Sequence, residues 1–279
     1  MFLRPGNLNE ALDALAQTRG TILSGGTDLF PAFTGSQLPG PVIDISGLAE
    51  LKGIHATPEH IHVGGATTWS EFLTAPLPRG FDGLREAARE IGAVQIQNSA
   101  TMAGNICNAS PAADGVAALL ALDAEIVLSA RSSSRTIPLT DFVQGNRKTL
   151  RRPDEILTSI RIPRKWENAA SCFLKLGARR YLVISIVMVA ANLVIGPGRR
   201  IGEAAICVGA CSPKALRLTE LEKTLGGKIA DQQIAAIVRA EHFSMLSPID
   251  DVRATAEYRL DAARTLVRRA LSECARRAL

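Results

Sequence analysis

Two stretches of the sequence combine residue types that can bind a polar ligand. The first is Leu23-Ser24-Gly25-Gly26-Thr27-Asp28-Leu29. Thr21-Ile22-Leu23 reads as a buried strand that ends abruptly in paired glycines. Without a Cβ, Gly25 and Gly26 let the backbone approach a ligand closely. Successive N–H groups in such a turn can form an anion-binding nest. Thr27 and Asp28 can add side-chain hydrogen bonds or cap the turn. The same residues also suit an ordinary strand-to-loop turn. The second stretch is Thr101 to Asp114, read as part of a loop from Asn98 to Pro111 that leads into a helix. Gly104 beside Asn105, then Asn108, Ser110 and Asp114, could hydrogen-bond phosphate oxygens and sugar hydroxyls, and a nearby helix N-terminus favours negative charge. The alternative is that Asp114 merely caps that helix.

Other chemistries find little support. There is no G-x-G-x-x-G and no P-loop, so neither standard nucleotide fingerprint applies. No G-x-S-x-G elbow or other arrangement makes a case for a Ser or Cys nucleophile. Cys107, Cys172, Cys207, Cys211 and Cys274 are scattered without any C-x-x-C, which argues against a structural zinc or an iron–sulfur cluster in this chain. Cys207 and Cys211 are expected on one face of a strand. His60 and His62 share a strand face near His55, as two metal ligands might, but no carboxylate or thiol completes the set, so surface histidines are expected. The net charge of +5 comes from 32 bases interspersed with 27 acids. The densest basic cluster, Arg147-Lys148 with Arg151-Arg152, has no interleaved aromatic residue. It suits a solvated loop or a rim contact with an acidic partner better than nucleic acid.

The elements that must position these residues follow from periodicity. The chain has 279 residues, enough for one large domain or two ordinary ones, and at 47% hydrophobic and 21% charged it is globular in composition. Asn7 and Glu10 form a variant capping box for a helix over 8–17 with Leu8, Leu12 and Leu15 on one face. Short strands are expected at 42–45 and 61–63. Thr68 and Glu71 cap a helix with Trp69 and Phe72, and Asp82 opens another with Leu84, Ala88 and Ile91 on its apolar side. A helix over 113–122 precedes a strand at 125–130, an edge strand at 135–139 ending near Pro138, and a strand at 157–162. Composition shifts at 164–168. Beyond it lie strands at 182–195 and 201–210, joined by Gly-Pro-Gly-Arg-Arg in a hairpin. Helices follow at 214–225, 230–241 and 252–277, the last with a stripe of Val252, Ala256, Leu260, Ala263, Leu266, Val267, Ala270 and Leu271. No apolar run reaches about 18 residues, the longest, Tyr181 to Ile195, being interrupted by Asn192, so no membrane span is expected. The first residues lack a basic segment followed by an apolar one, so no secretory signal is expected either. An odd cysteine count without a signal points to a reducing compartment, the cytoplasm.

Ser24 to Leu29, followed by Ala100 to Asp114, resembles the FAD-binding medium subunit of molybdenum hydroxylases of the xanthine dehydrogenase-like and carbon monoxide dehydrogenase-like kind. The resemblance continues through Pro153-Asp154-Glu155-Ile156-Leu157 and Lys175-Leu176-Gly177-Ala178-Arg179-Arg180, and ends in Ile249 to Arg259. It departs from the family in Ala103-Gly104, where Gly-Gly is common. The resemblance implies an α+β fold. A two-subdomain FAD-binding domain of the vanillyl-alcohol-oxidase/PCMH-like type would span 1–165 (subdomains about 1–54 and 58–165). A smaller C-terminal domain with an antiparallel sheet and helices would span 170–279.

It further implies that Ile22, Leu23, Ser24, Gly25, Gly26, Thr27 and Asp28, with Ala100, Thr101, Gly104 and Asn105, hold the pyrophosphate of FAD, chiefly through backbone N–H groups. Asn108 and Asp114 match positions that bind the flavin's polar groups. Leu157 and Lys175 match positions near the adenine or isoalloxazine ends, and Tyr181 to Ile184 would lie by the ring. Neither stretch contains a histidine, so FAD is expected to bind non-covalently. The function implied is electron transfer. A partner's [2Fe–2S] clusters would deliver electrons from a large molybdenum-cofactor subunit, and FAD would pass them to NAD+ or another acceptor. Two rival readings stay open at this point: a self-sufficient flavoprotein oxidase or reductase, and a scaffold subunit that has lost FAD.

Overall fold

The computed structural model describes residues 1–33 and 40–278. In chain order these form β1 (Phe2–Leu3), α1 (Leu8–Thr18), β2 (Thr21–Leu23), α2 (Leu29–Ala32), β3 (Val42–Asp44), β4 (Ile54–Ala56), β5 (His60–Gly64) and α3 (Trp69–Thr74). Next come α4 (Asp82–Arg89), α5 (Val94–Ser99), α6 (Met102–Asn108), α7 (Asp114–Leu120), β6 (Glu125–Ala130), β7 (Ser133–Pro138), α8 (Leu139–Phe142), β8 (Val143–Gly145), β9 (Lys148–Thr149) and β10 (Ile156–Pro163). The chain ends with β11 (Ala170–Leu176), β12 (Val187–Ile195), β13 (Ile201–Gly209), β14 (Leu216–Arg217), α9 (Thr219–Leu225) and α10 (Ala256–Arg277). They gather into two compact units that interleave along the sequence. One comprises Met1–Ala75, Ala93–Ala109 and Ala124–Ile162; the other Pro76–Gly92, Ser110–Asp123 and Pro163–Leu279.

The first unit holds a three-stranded parallel sheet, β1-β3-β2, and a five-stranded sheet, β4-β5-β10-β6-β7. Asn7 Oδ1 accepts the Glu10 N–H, and the Glu10 carboxylate accepts the Gly6 N–H, so the cap is reciprocal but shifted by one residue. The cap starts α1 in the register that buries Leu12 and Leu15 against Ile43, Ile45, Leu48 and Leu51. Each such side chain contributes roughly 1.5–3 kcal/mol on burial. Thr68 and Glu71 form a full capping box, and fully buried Trp69 and Phe72 meet edge to face. The Pro138 strand lies at the sheet edge, where a missing N–H costs no ladder bond.

The second unit is built on the antiparallel sheet β11-β12-β13-β14, with α10 laid across it. Ala263, Leu266, Val267, Ala270 and Leu271 bury one face of α10 on Val187, Val189, Ala191 and Leu193. Val252 does not join this stripe and is fully exposed. The Asp251 N–H bonds to the Ala254 carbonyl in a turn, and the helix starts only after the Thr255 cap, so Val252 lies outside its register.

Several local expectations are corrected. The helix over 230–241 is two 3₁₀ turns, Ile234–Ile237 and Ala240–Phe243. Asp231 and His242 side chains accept the Gln233 and Arg239 N–H groups and so compete with a continuous helix. The strand over 182–195 begins only at Val187, leaving Tyr181, Leu182 and Ile184 exposed in irregular backbone. The helix over 214–225 is shortened by β14, whose Arg217 is held by Asp123 and Glu222. Ile91 lies past the end of α4, and Asp82 gives that helix no side-chain cap. Strand β11 was not anticipated. Among the described residues no helix is long and apolar enough to cross a membrane.

Candidate functional site

In the first unit the two candidate stretches meet at Gly25. A Cβ built on Gly25 would stand 2.0 Å from the Ser99 carbonyl oxygen and 2.9 Å from the Ala100 Cα, so only glycine lets the turn lie against this backbone. Gly26 is left-handed, at φ +71°. Strand β2 aims the turn: Ile22 and Leu23 pair with Ile43 and Asp44, and the Leu23 carbonyl accepts the Ile45 N–H at 2.8 Å. After the strand ends, the N–H groups of 24–28 take no backbone acceptor among the described residues. Thr27 is half-buried and Asp28 exposed.

The second stretch is not a loop but mostly helix. Ala100 ends α5, and Thr101 caps α6 by accepting the Gly104 N–H on its Oγ1 at 3.0 Å. Met102, Ala103 and Ile106 are buried at helical spacing, which is the periodicity that makes this segment helical despite its small polar residues. Gly104 and Asn105 thus sit in the helix, and Ala109, left-handed at φ 47°, ends it. Asn108 Nδ2 donates to Asp28 Oδ1 at 2.9 Å, a second tie between the two stretches. Ser24 Oγ and Asn105 Oδ1, one from each stretch, are buried without a hydrogen-bond partner among the described residues. Each such atom costs free energy until a partner reaches it. Leu157 joins neither tie; it is buried in β10, at a bulge where its carbonyl abuts Gly65. Glu155, from the same sequence motif, is a buried hub that pairs bidentately with Arg135 and accepts the Arg152 N–H.

In the second unit Asp114 does not cap a helix. It is the first residue of α7, and its two carboxylate oxygens are engaged elsewhere. Lys175 Nζ donates to Oδ2 and Ser185 Oγ to Oδ1, each at 2.6 Å. Asp114 and Lys175 side chains are only 6% exposed. Burial pushes the Asp114 carboxyl up from its ordinary range, while Lys175 and Ser185 pull it back. Lys175 Nζ also reaches the Glu90 carbonyl at 3.4 Å. Ser185 was missed by sequence reading, and a single serine 71 residues from its partner leaves no local signal.

The other chemistry-bearing residues are occupied differently. His55 and His62 stack with ring centroids 4.8 Å apart, and His60 faces Arg161 and Glu125. Among the described residues no group of three His, Cys, Asp or Glu is placed to hold a metal. Cys207 lies in β13 and Cys211 beyond its end, both buried and free.

The sequence matches two family profiles. One is the FAD binding domain in molybdopterin dehydrogenase, over residues 1–165. The other is the CO dehydrogenase flavoprotein C-terminal domain, over residues 173–274. The chain is 37% identical over 194 residues to the nicotinate dehydrogenase FAD-subunit of Eubacterium barkeri, covering 67% of this chain and 66% of that one. It is 28% identical to the xanthine dehydrogenase FAD-binding subunit of Escherichia coli O157:H7, covering 98% and 94%. Its fold superposes on reconstituted CO dehydrogenase from Oligotropha carboxidovorans with a TM-score of 0.91 at 26% identity, covering 99% and 98%. The two units therefore define an α+β flavoprotein of the oxidoreductase class, with FAD as its cofactor. The chain belongs to the family of FAD-binding subunits of molybdopterin dehydrogenases.

Proposed function

We propose that this chain is the FAD-carrying electron-transfer subunit of a multi-subunit molybdenum hydroxylase. It would accept electrons from the [2Fe–2S] clusters of a small partner subunit, fed by a large molybdenum-cofactor subunit, and pass them to NAD+ or another acceptor. The observation that carries the reading is the pair of orphaned acceptors, Ser24 Oγ and Asn105 Oδ1, in two backbone segments held together at Gly25. A dinucleotide offers the hydroxyl donors these atoms lack. The N–H groups of 24–28, which take no backbone acceptor among the described residues, would supply donors for its pyrophosphate. Asn108 and Asp28 would orient polar groups, and Leu157 would lie near the adenine or isoalloxazine end, as the family likeness suggests.

Bound FAD supplies the conversion between one-electron and two-electron transfer. The residues present bind and orient; no general base or nucleophile is required of them. Burial pushes the Cys107 thiol up to about 11, so the one cysteine in α6 is a protonated and poor nucleophile, which favours non-covalent FAD. The five free thiols suit the cytoplasm.

The test is isolation of the chain from its native source without denaturant. Co-purification with a molybdenum protein and an iron–sulfur protein, and reoxidation of the anaerobically reduced flavin by NAD+, is the expected result. A chain that isolates alone and turns over a small substrate unaided would replace this reading with that of a self-sufficient flavoprotein.

A further inference from the structure

We infer that Arg147 is a positioning residue of the FAD site and provides its positive charge; this rests on the reading just given. Residues 22–28 and 100–108 contain no Lys or Arg and one carboxylate, Asp28. A site made of these alone would meet a doubly charged pyrophosphate with a negative side chain and no counter-charge. Arg147 comes from far along the chain, in the turn between β8 and β9. Its backbone is left-handed, at φ 57°, a conformation disfavoured for a side chain as large as arginine. Two bonds hold it there. The Arg147 N–H donates to the Ala109 carbonyl at 2.9 Å, at the end of α6, and the guanidinium Nη1 donates to Asn108 Oδ1.

This bond settles how Asn108 is oriented. A guanidinium has donors only, and an ionised carboxylate has acceptors only. Asn108 lies between the two, so its oxygen must face Arg147 and its Nδ2 must face Asp28, at 2.9 Å. The sequence Arg147–Asn108–Asp28 therefore runs from the β8–β9 turn, through the end of α6, to the glycine turn. The neighbouring cations have other roles: Arg151 Nη1 is bound to the Arg152 and Glu155 carbonyls, and Lys148 is exposed on β9. Arg147 is itself exposed, so it can offer its remaining N–H donors to an anionic ligand while it holds Asn108.

The test uses the full chain stripped of flavin and titrated with FAD by fluorescence quenching over a range of salt concentrations. Wild type, Arg147→Ala and Arg147→Lys are compared, with melting of each flavin-free chain as a control. Arg147→Ala should weaken FAD binding by about ten- to a hundredfold, the range for charge-assisted hydrogen bonds. It should also flatten the salt dependence and leave the melting temperature unchanged. Arg147→Lys should restore the salt dependence but only part of the affinity, because an ammonium cannot reproduce the directed fork. Unchanged affinity and salt dependence in Arg147→Ala, with wild type binding FAD, would overturn the inference and leave the proposed function standing. Weakened binding with a wild-type salt dependence and a lowered melting temperature would reduce Arg147 to a structural prop and also overturn it. A wild-type chain that takes up no FAD would overturn both.

Discussion

The glycine turn with α6 in one unit, and the Asp114–Lys175–Ser185 cluster in the other, are both polar sites, the first half-open to solvent and the second buried. In the first, Ser24 Oγ and Asn105 Oδ1 lack partners among the described residues, and the turn depends on a glycine that admits backbone within 2.0 Å of a would-be Cβ. In the second, both oxygens of Asp114 are bonded at 2.6 Å and the counter-charge is built in. The difference is one of completeness. A site whose polar groups satisfy one another stabilises its own unit whether or not a ligand is present. A site with orphaned acceptors gains its missing bonds only from a ligand. Substitutions in the two regions should therefore separate stability from binding.

The largest effect is expected from Lys175→Ala. Removing one partner of a buried ion pair leaves an uncompensated charge, and the cost is about 3–5 kcal/mol. Its pH dependence has a defined sign. Burial already raises the folded-state pKa of Asp114, and loss of Lys175 raises it further. A protonated carboxyl needs no counter-charge, so the gap between variant and wild type should be widest at neutral pH. It should narrow as the pH falls through the raised value. Urea unfolding at neutral and mildly acidic pH measures both. A gap that widens in acid would contradict the pairing.

Gly25→Ala comes next. The added methyl must displace the Ser99–Ala100 backbone, at a cost of about 1–3 kcal/mol by overpacking. The same shift opens the turn, so FAD retention should be lost while the chain stays folded. Thermal melting and flavin content of the purified variant read the two effects separately; full flavin content would show that the turn is not where FAD is held.

The smallest stability effects give the sharpest contrast. Asn105→Ala deletes an acceptor that has no partner, so the flavin-free chain should keep its stability to within about 0.5 kcal/mol. FAD affinity should fall about tenfold, the worth of one good hydrogen bond. Ser185→Ala removes a donor from a buried carboxylate and should cost about 1–3 kcal/mol with or without FAD. If both variants lose the same stability in the absence of flavin, the contrast between open and self-satisfied sites fails.

How much of this was readable in the chain depended on whether the signal was local. The strand Thr21–Leu23 breaking into Gly25-Gly26, the Thr68–Glu71 box and the edge strand at Pro138 are statements about neighbouring residues, and the structure has them as read. The segment 98–111 was misread as a loop because its Gly, Asn and Ser content outweighed Met102, Ala103 and Ile106, whose burial makes α6. Asp114 could be read as a ligand-binding group or as a helix cap, and neither reading shows its partners, because Lys175 is 61 residues away and Ser185 is 71. Arg147 was counted with a basic surface cluster, since nothing near it in sequence shows that Asn108, 39 residues earlier, takes its guanidinium. Tertiary partners decide the role of a charged side chain, and spacing alone does not carry them.

The central claim is that this chain holds FAD non-covalently. The most direct measurement is a visible absorption spectrum of the purified chain, followed by denaturation and mass spectrometry of the supernatant. The account predicts an oxidised-flavin spectrum whose chromophore is released intact and has the mass of FAD. A colourless chain that takes up no added FAD, or flavin that stays with the precipitated protein, would contradict it.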